Sequence, residues 1–148
     1  MKKQKICIIG GSLTGLVTAL TLSKLNCEID LITGNLHKNC KSNRTIALSE
    51  NNFDFLKKLN IPNLLKNEIW ICSKMKLYTE AEKEKFSEIF ELNKKEKNEN
   101  IFYMLENSKM MKFMINKIKK IKSVSLIKNK TVSSIFNSGL LKSVKFKN

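Results

Sequence analysis

Polar residues open the chain, then the apolar run Ile6–Ile9 stops at Gly10-Gly11. A short apolar run ended by glycine reads as a buried strand over residues 5–9. From Thr14 to Leu25, the positions Leu16, Val17, Ala19, Leu20 and Leu22 predict a mostly apolar helix. Residues 28–33 (EIDLIT) are the next strand, closed by Gly34. Strand, glycine turn, helix and strand in this order predict a βαβ unit with a parallel sheet. A polar loop follows over 34–43. Ser49 is placed to cap a helix carrying Phe53, Leu56 and Leu59, which Asn60 and Pro62 terminate.

Further along, 69–78 (IWICSKMKLY) and 86–92 (FSEIFEL) have strand character on either side of the charged TEAEKEK segment, which predicts an antiparallel hairpin. NKKEKNEN (93–100) reads as a solvated loop, and IFYML as a short strand. Asn107 or Ser108 would cap a helix reaching Ile121, with Met111, Met114, Ile115 and Ile118 along one face as a core stripe. VSLI (124–127), TVSSIF (131–136) and LLKSVKF (140–146) close the chain as strands. The fold class this pattern implies is α/β, and 148 residues suffice for one domain with a real core.

The lysine-rich start followed by an apolar run also suits a secretion signal. The glycines at 10, 11 and 15 break the run, and Lys24 and Asn26 interrupt the place of a small-residue cleavage site. The stretch therefore reads as a strand and helix. Net charge is +15, which invites a nucleic-acid partner, but 27 of the 28 basic residues are lysine and only Arg44 is arginine. Readers of bases and phosphates use the planar arginine fork, so specific nucleic-acid binding is not expected. Cys7, Cys27, Cys40 and Cys72 have no CxxC spacing and one histidine for company, so no metal site is expected and the thiols read as reduced. A cytoplasmic protein is the expectation.

Gly10-Gly11-Ser12-Leu13-Thr14-Gly15 approximates the G-x-G-x-x-G dinucleotide fingerprint. The first glycine serves the tight turn and the third the close approach of helix and strand, while the pyrophosphate position carries Ser12, small and able to donate a hydrogen bond itself. The following helix N-terminus offers unsatisfied N–H groups and partial positive charge. An acid is expected where the second strand ends, to hold ribose hydroxyls, and Thr33 stands there instead. Strand alternation points Asp30 to the other face. Dinucleotide affinity is therefore expected to be reduced.

Three stretches together resemble the FAD-dependent aromatic hydroxylases, most closely those of ubiquinone biosynthesis. They are KICIIGGSLTGLVTALTLSKL, Arg44-Thr45-Ile46-Ala47-Leu48-Ser49 with the helix after it, and Tyr103-Met104-Leu105-Glu106-Asn107 with its helix. The resemblance implies a Rossmann-like, glutathione-reductase-type FAD-binding unit, with residues 69–104 beginning a substrate-side β insertion. It implies FAD reduced by NADH or NADPH, oxygen as co-substrate, and a small aromatic or quinone-precursor substrate. Gly10, Gly11, Ser12, Leu13, Thr14, Gly15, Thr33, Arg44 and Asn107 would be the cofactor-binding residues, with Glu106 near the same side.

The family's downstream Gly-Asp motif and the rest of its substrate-covering sheet are lacking. The chain is therefore expected to be an N-terminal portion, incomplete at its C-terminus, needing the missing C-terminal part of the enzyme and inactive alone. Peripheral association with the inner membrane face is compatible, because quinone precursors are lipids. A small Rossmann-type NAD(P)- or flavin-binding protein, or a non-catalytic relative, is the alternative. A basic module for nucleic acid or acidic membranes comes third.

Overall fold

The computed structural model describes residues 3–36, 43–61, 66–81, 85–93 and 100–147. Cys40 and Pro62, most of the expected 93–100 loop and the middle of the TEAEKEK segment lie outside them. The chain divides into two units, one of Met1–Arg44 with Asn107–Asn148, the other of Thr45–Glu106.

In the first unit, β1 (Gln4–Ile9) leads through the glycine turn into α1 (Leu13–Leu22), and α1 returns to β2 (Cys27–Ile32). β1 and β2 are parallel, with Ile6 beside Ile29 and Ile8 beside Leu31. Side chains at these alternate positions share one face, where Ile29 and Leu31 are fully buried. The other face is more polar, with Lys5 and Asp30 joined by an ion pair at 3.0 Å. α1 buries Leu16, Ala19 and Leu20 and ends three residues short of the expected Leu25, where the Ser23 N–H closes onto the Ala19 carbonyl.

In the second unit, β3 (Thr45–Leu48) is followed by α2 (Glu50–Lys58), with Ser49 as its N-cap accepting from the Asn52 N–H. Asn60, at φ +55°, takes the left-handed conformation that ends the helix, and its N–H donates to the Lys57 carbonyl. β4 (Ile69–Cys72), β5 (Lys74–Ala81), β6 (Lys85–Asn93) and β7 (Phe102–Glu106) complete this unit. β3 and β4 flank β7 in an antiparallel sheet. α2 covers one face of it, with Phe53 stacked on Tyr103 at 3.8 Å between ring centroids.

The expected hairpin from 69–78 and 86–92 is corrected here. Residues 69–78 divide at Ser73 into two strands belonging to different sheets: β4 pairs with β7, and β5 alone forms the hairpin with β6. One run of strand-forming residues serves both because a period-2 pattern carries no information about which neighbour a strand will take. β3 is a second departure. Its four residues are too few to stand out as alternation, although they carry part of the resemblance quoted above.

Back in the first unit, α3 (Asn107–Ile118) buries Met110, Met111, Met114, Ile115 and Ile118, so the methionine-rich stripe is core and packs against α1. β8 (Val124–Ile127) adds a third parallel strand beside β2. β9 (Val132–Ser138) and β10 (Leu141–Phe146) form a separate antiparallel hairpin. Gly139, at φ +60°, turns the chain between them.

Candidate functional site

The β1–α1 turn is built on three glycines that serve three different needs. Gly10 has φ +132°, a conformation L side chains rarely adopt, although a Cβ there would meet nothing within 4 Å. Its N–H donates to the Ile32 carbonyl at 2.9 Å, which carries the β1–β2 pairing one residue past the strand. Gly11 is buried, and a Cβ would lie 2.7 Å from Leu36 Cδ2 and 2.9 Å from Thr33 Cβ and Cγ2. At Gly15 a Cβ would collide with the Gly10 carbonyl oxygen. The first glycine is thus conformational, the second packs the turn on β2's exit, and the third seats α1 on the turn.

Ser12 takes extended backbone (φ −78°, ψ 175°) as the N-cap of α1, and its carbonyl accepts the Leu16 N–H at 3.0 Å. Its side chain makes no cap hydrogen bond, and the first turn of the helix holds no acidic residue. Ser12 and Thr14 are exposed and Leu13 is half-buried. The positive end of the helix dipole therefore carries neither a hydroxyl cap nor an acid of its own, with hydroxyl side chains at its rim. Such an end suits an anion, so the residues present fit the pyrophosphate of a dinucleotide.

Thr33 is fully buried, with Oγ1 3.4 Å from the Ile127 carbonyl. Its methyl and Cβ occupy the space beside Gly11, so it supports the turn from below and offers a ligand no side-chain surface. Its N–H also donates to the Ile127 carbonyl, at 2.8 Å, which ties β2's end to β8. Sequence reasoning missed two supports, Leu36 beneath Gly11 and the Ile127 carbonyl beside Thr33. A single leucine in a polar loop and a backbone acceptor 94 residues away carry no local signature.

Arg44 and Asn107 form a second pair. The Asn107 N–H donates to the Arg44 carbonyl at 2.9 Å, and its side-chain amide lies 3.7 Å from Met111 Sδ. Arg44 is exposed. The two residues sit where the chain leaves the first unit and returns to it, and Glu106 is paired with Thr45 at the adjoining end of β7 and β3. The backbone thus joins two of the residues that the resemblance singled out, 44 and 107.

A separate half-open groove lies at the start of β1 and β2, lined by Lys3, Lys5, Glu28, Asp30 and Lys122 among others. Its opposite charges partly answer one another, since the Asp30 carboxylate, by hydrogen bond and charge, holds the Lys5 ammonium above its usual value. Among the described residues no cluster of His, Cys, Asp and Glu could hold a metal ion. No helix among them is long and apolar enough to cross a membrane.

No protein-family model matches this chain, and no curated protein sequence does. Solved structures do. The chain is similar to p-nitrophenol 4-monooxygenase PnpA from Pseudomonas putida DLL-E4, with TM-score 0.74 at 16% identity over 99% of this chain and 36% of that one. It is similar to PqsL, a probable FAD-dependent monooxygenase from Pseudomonas aeruginosa, with TM-score 0.73 at 9% identity over 93% of this chain and 36% of that one. CtdE, solved in complex with FAD, gives TM-score 0.69 at 9% identity, covering 98% of this chain and 35% of that one. At these identities the likeness is one of fold, a mixed α/β architecture shared with these three proteins. The chain spans about a third of the length of the solved proteins it matches.

Proposed function

We propose that the chain is the FAD-binding N-terminal portion of a flavin-dependent monooxygenase that hydroxylates an electron-rich aromatic ring. A ubiquinone precursor is the substrate class that the sequence resemblance favours, with NAD(P)H and O2 as co-substrates. In this reading β1–α1–β2 is a Rossmann-like unit and residues 69–104 begin a substrate-side β insertion, completed by a C-terminal portion of the enzyme. The observation that carries it is the glycine turn leading into the uncapped, acid-free N-terminus of α1. The fold shared with PnpA, PqsL and CtdE supports it.

Bound FAD supplies the redox and oxygen chemistry. The chain's own residues bind and orient. The α1 N–H groups, with the Ser12 and Thr14 hydroxyls, would hold the pyrophosphate, and the glycines at 10, 11 and 15 keep the turn tight enough to present them. Arg44, held at the neck by the Asn107 N–H, contributes the one guanidinium of the chain. A fork of fixed donors there cannot be replaced by lysine without losing paired hydrogen bonds.

A second reading rests on Thr33. A threonine there, and a buried one, leaves the end of β2 without the carboxylate that grips ribose, which favours a small Rossmann-type NAD(P)- or flavin-binding protein, or a degenerate relative without catalysis. One variant tests the leading proposal sharply. Ser12→Asp supplies a better cap and a negative charge at the positive end of α1, so it stabilises the fold by about 0.5–1 kcal/mol. The same carboxylate occupies the phosphate position, so FAD affinity falls at least tenfold. FAD titration of the purified chain, followed by flavin fluorescence, reads the outcome. Binding undiminished by Ser12→Asp, or no FAD binding by the parent chain, defeats the proposal. NAD(P)H-dependent hydroxylation by the 148-residue chain alone would overturn the reading of it as a portion.

A further inference from the structure

We propose that the turn of the β9–β10 hairpin is an anchor for anionic lipid surfaces, whose headgroup layer takes in the Leu140–Leu141 tip while the lysines behind it meet the phosphates. The net charge of +15 is unevenly placed. Met1–Arg44 with Asn107–Asn148 carries 18 basic residues against two acids, Glu28 and Asp30, whereas Thr45–Glu106 carries ten against eleven. From Asn107 onward there are eleven lysines and no acid. Within that basic stretch, residues 131–141 hold no charge. They comprise β9 and the turn that Gly139 makes at φ +60°.

The tip is apolar, with Leu140 fully exposed and Leu141 73% exposed. The register puts Leu141, Phe136 and Lys145 on one face of the hairpin, and Lys142 and Ile135 on the other. Phe136 and Ile135 are both exposed, so apolar side chains face solvent on both sides of the ribbon. The lysines are divided in the same way. At the base the Lys147 N–H donates to the Thr131 carbonyl at 2.8 Å, which brings Lys130 and Lys147 together below the charge-free strand. A nucleic-acid duplex or a protein surface meets one face of a ribbon and leaves the other in water. A headgroup layer surrounds the tip, covers apolar residues on both faces and offers phosphates to lysines on both. Strands rise about 3.4 Å per residue, so Leu140 stands up to about 7 Å beyond Lys142, a depth typical of interfacial anchors. A further strand pairing with the hairpin would use the backbone groups along its edge and leave the turn outside the ladder. This assignment uses no residue of the β1–α1 turn and does not depend on the cofactor.

Co-sedimentation of the 148-residue chain with vesicles tests it. The vesicles are phosphatidylcholine alone, or phosphatidylcholine with one-third phosphatidylglycerol. The expected result is binding at least tenfold tighter to the anionic vesicles, weakening as salt is raised. Leu140→Asp weakens it at least tenfold and Lys142→Gln about fivefold, whereas Leu77→Asp, on β5, changes it less than twofold. Unchanged circular dichroism shows that the variants remain folded. Trp70→Phe removes the chain's one tryptophan. In that background Leu140→Trp supplies an indole whose emission shifts to the blue when anionic vesicles are added. Absence of binding to anionic vesicles overturns the proposal, as does equal binding to both kinds, binding indifferent to Leu140→Asp, or an unshifted indole. Binding to duplex DNA that survives Leu140→Asp, without vesicle binding, assigns the lysines to nucleic acid and overturns it equally.

Discussion

Gly15 lies directly against the carbonyl oxygen of Gly10, so that a Cβ at position 15 has no room without moving α1 off the turn. That contact separates a spatial requirement from a conformational one. Gly10 has open space around it and needs its missing Cβ for its φ of +132°, whereas Gly15 needs it for proximity. The turn brings a helix N-terminus to the end of a parallel strand, which the proposed pyrophosphate contact uses.

Three alanine variants should therefore differ. Gly15→Ala destabilises by about 2–3 kcal/mol, because the obstacle is backbone and cannot rotate away. Gly10→Ala costs about 1–3 kcal/mol through backbone strain alone. Gly34, with nothing within 4 Å of its Cβ position and no left-handed φ, tolerates alanine and gains up to about 1 kcal/mol from a less flexible unfolded chain. Urea unfolding ranks the three. A Gly15→Ala chain as stable as Gly34→Ala would disprove the close approach.

The second unit turns on Phe53 and Tyr103, each 7% exposed and stacked within 8° of parallel. Phe53→Ala empties the contact between α2 and β7 and costs about 3–5 kcal/mol. Tyr103→Phe keeps the stack and removes only the hydroxyl to which the Asn100 amide donates at 3.0 Å, a loss of about 1 kcal/mol. Amide exchange of β7 measures both. Equal effects of the two substitutions would mean that the hydroxyl, not the stack, holds the helix down.

Local signals were legible where one stretch of chain contained the whole cause. The glycines, the Ser49 cap and the methionine stripe of α3 each announce themselves within a dozen residues, and the structure has Asn52 donating to Ser49 and the stripe buried. What stayed hidden depends on partners far along the chain. Nothing near Ser73 says that Ile71 will lie beside Tyr103 while Leu77 lies beside Phe90. The inward turn of Thr33 is hidden for the same reason, since its neighbour Ile127 arrives with β8. The resemblance pointed to Arg44 and Asn107 without saying that one backbone hydrogen bond joins them.

Cysteine chemistry offers an independent check on the first unit. Cys27 is 4% exposed and its thiol lies 3.1 Å from the Leu22 carbonyl, so it resists alkylation in the folded chain. Cys7 is exposed, but partial burial of its sulfur, with the Asp30 carboxylate adding to it, pushes the thiol up. Less thiolate forms at neutral pH, so Cys7 reacts with iodoacetamide more slowly than a free thiol, and its rate still climbs above pH 9. Peptide mass spectrometry of a timed reaction distinguishes the sites. Cys27 reacting first would contradict the packing of β2.

The ion pairs of the β5–β6 hairpin predict an acid response with a definite sign. Hydrogen bonds from Lys76, then Lys74, lower the Glu91 carboxyl from the usual 4.5 to about 2. A carboxyl lowered on folding favours the folded hairpin wherever it is ionised in both states, so its contribution is complete above about pH 4.5. It is lost progressively as pH falls from there through about 2, where the folded form also takes up its proton. Both partners are partly solvent-exposed, so salt screens the effect and its size at neutral pH is small. Amide exchange in β5 and β6 should accelerate across that window in the parent chain and change less in Glu91→Gln. Carbon NMR of the Glu91 carboxyl reads the titration directly. A midpoint near 4.5 would mean that Lys76 and Lys74 do not hold Glu91 in solution.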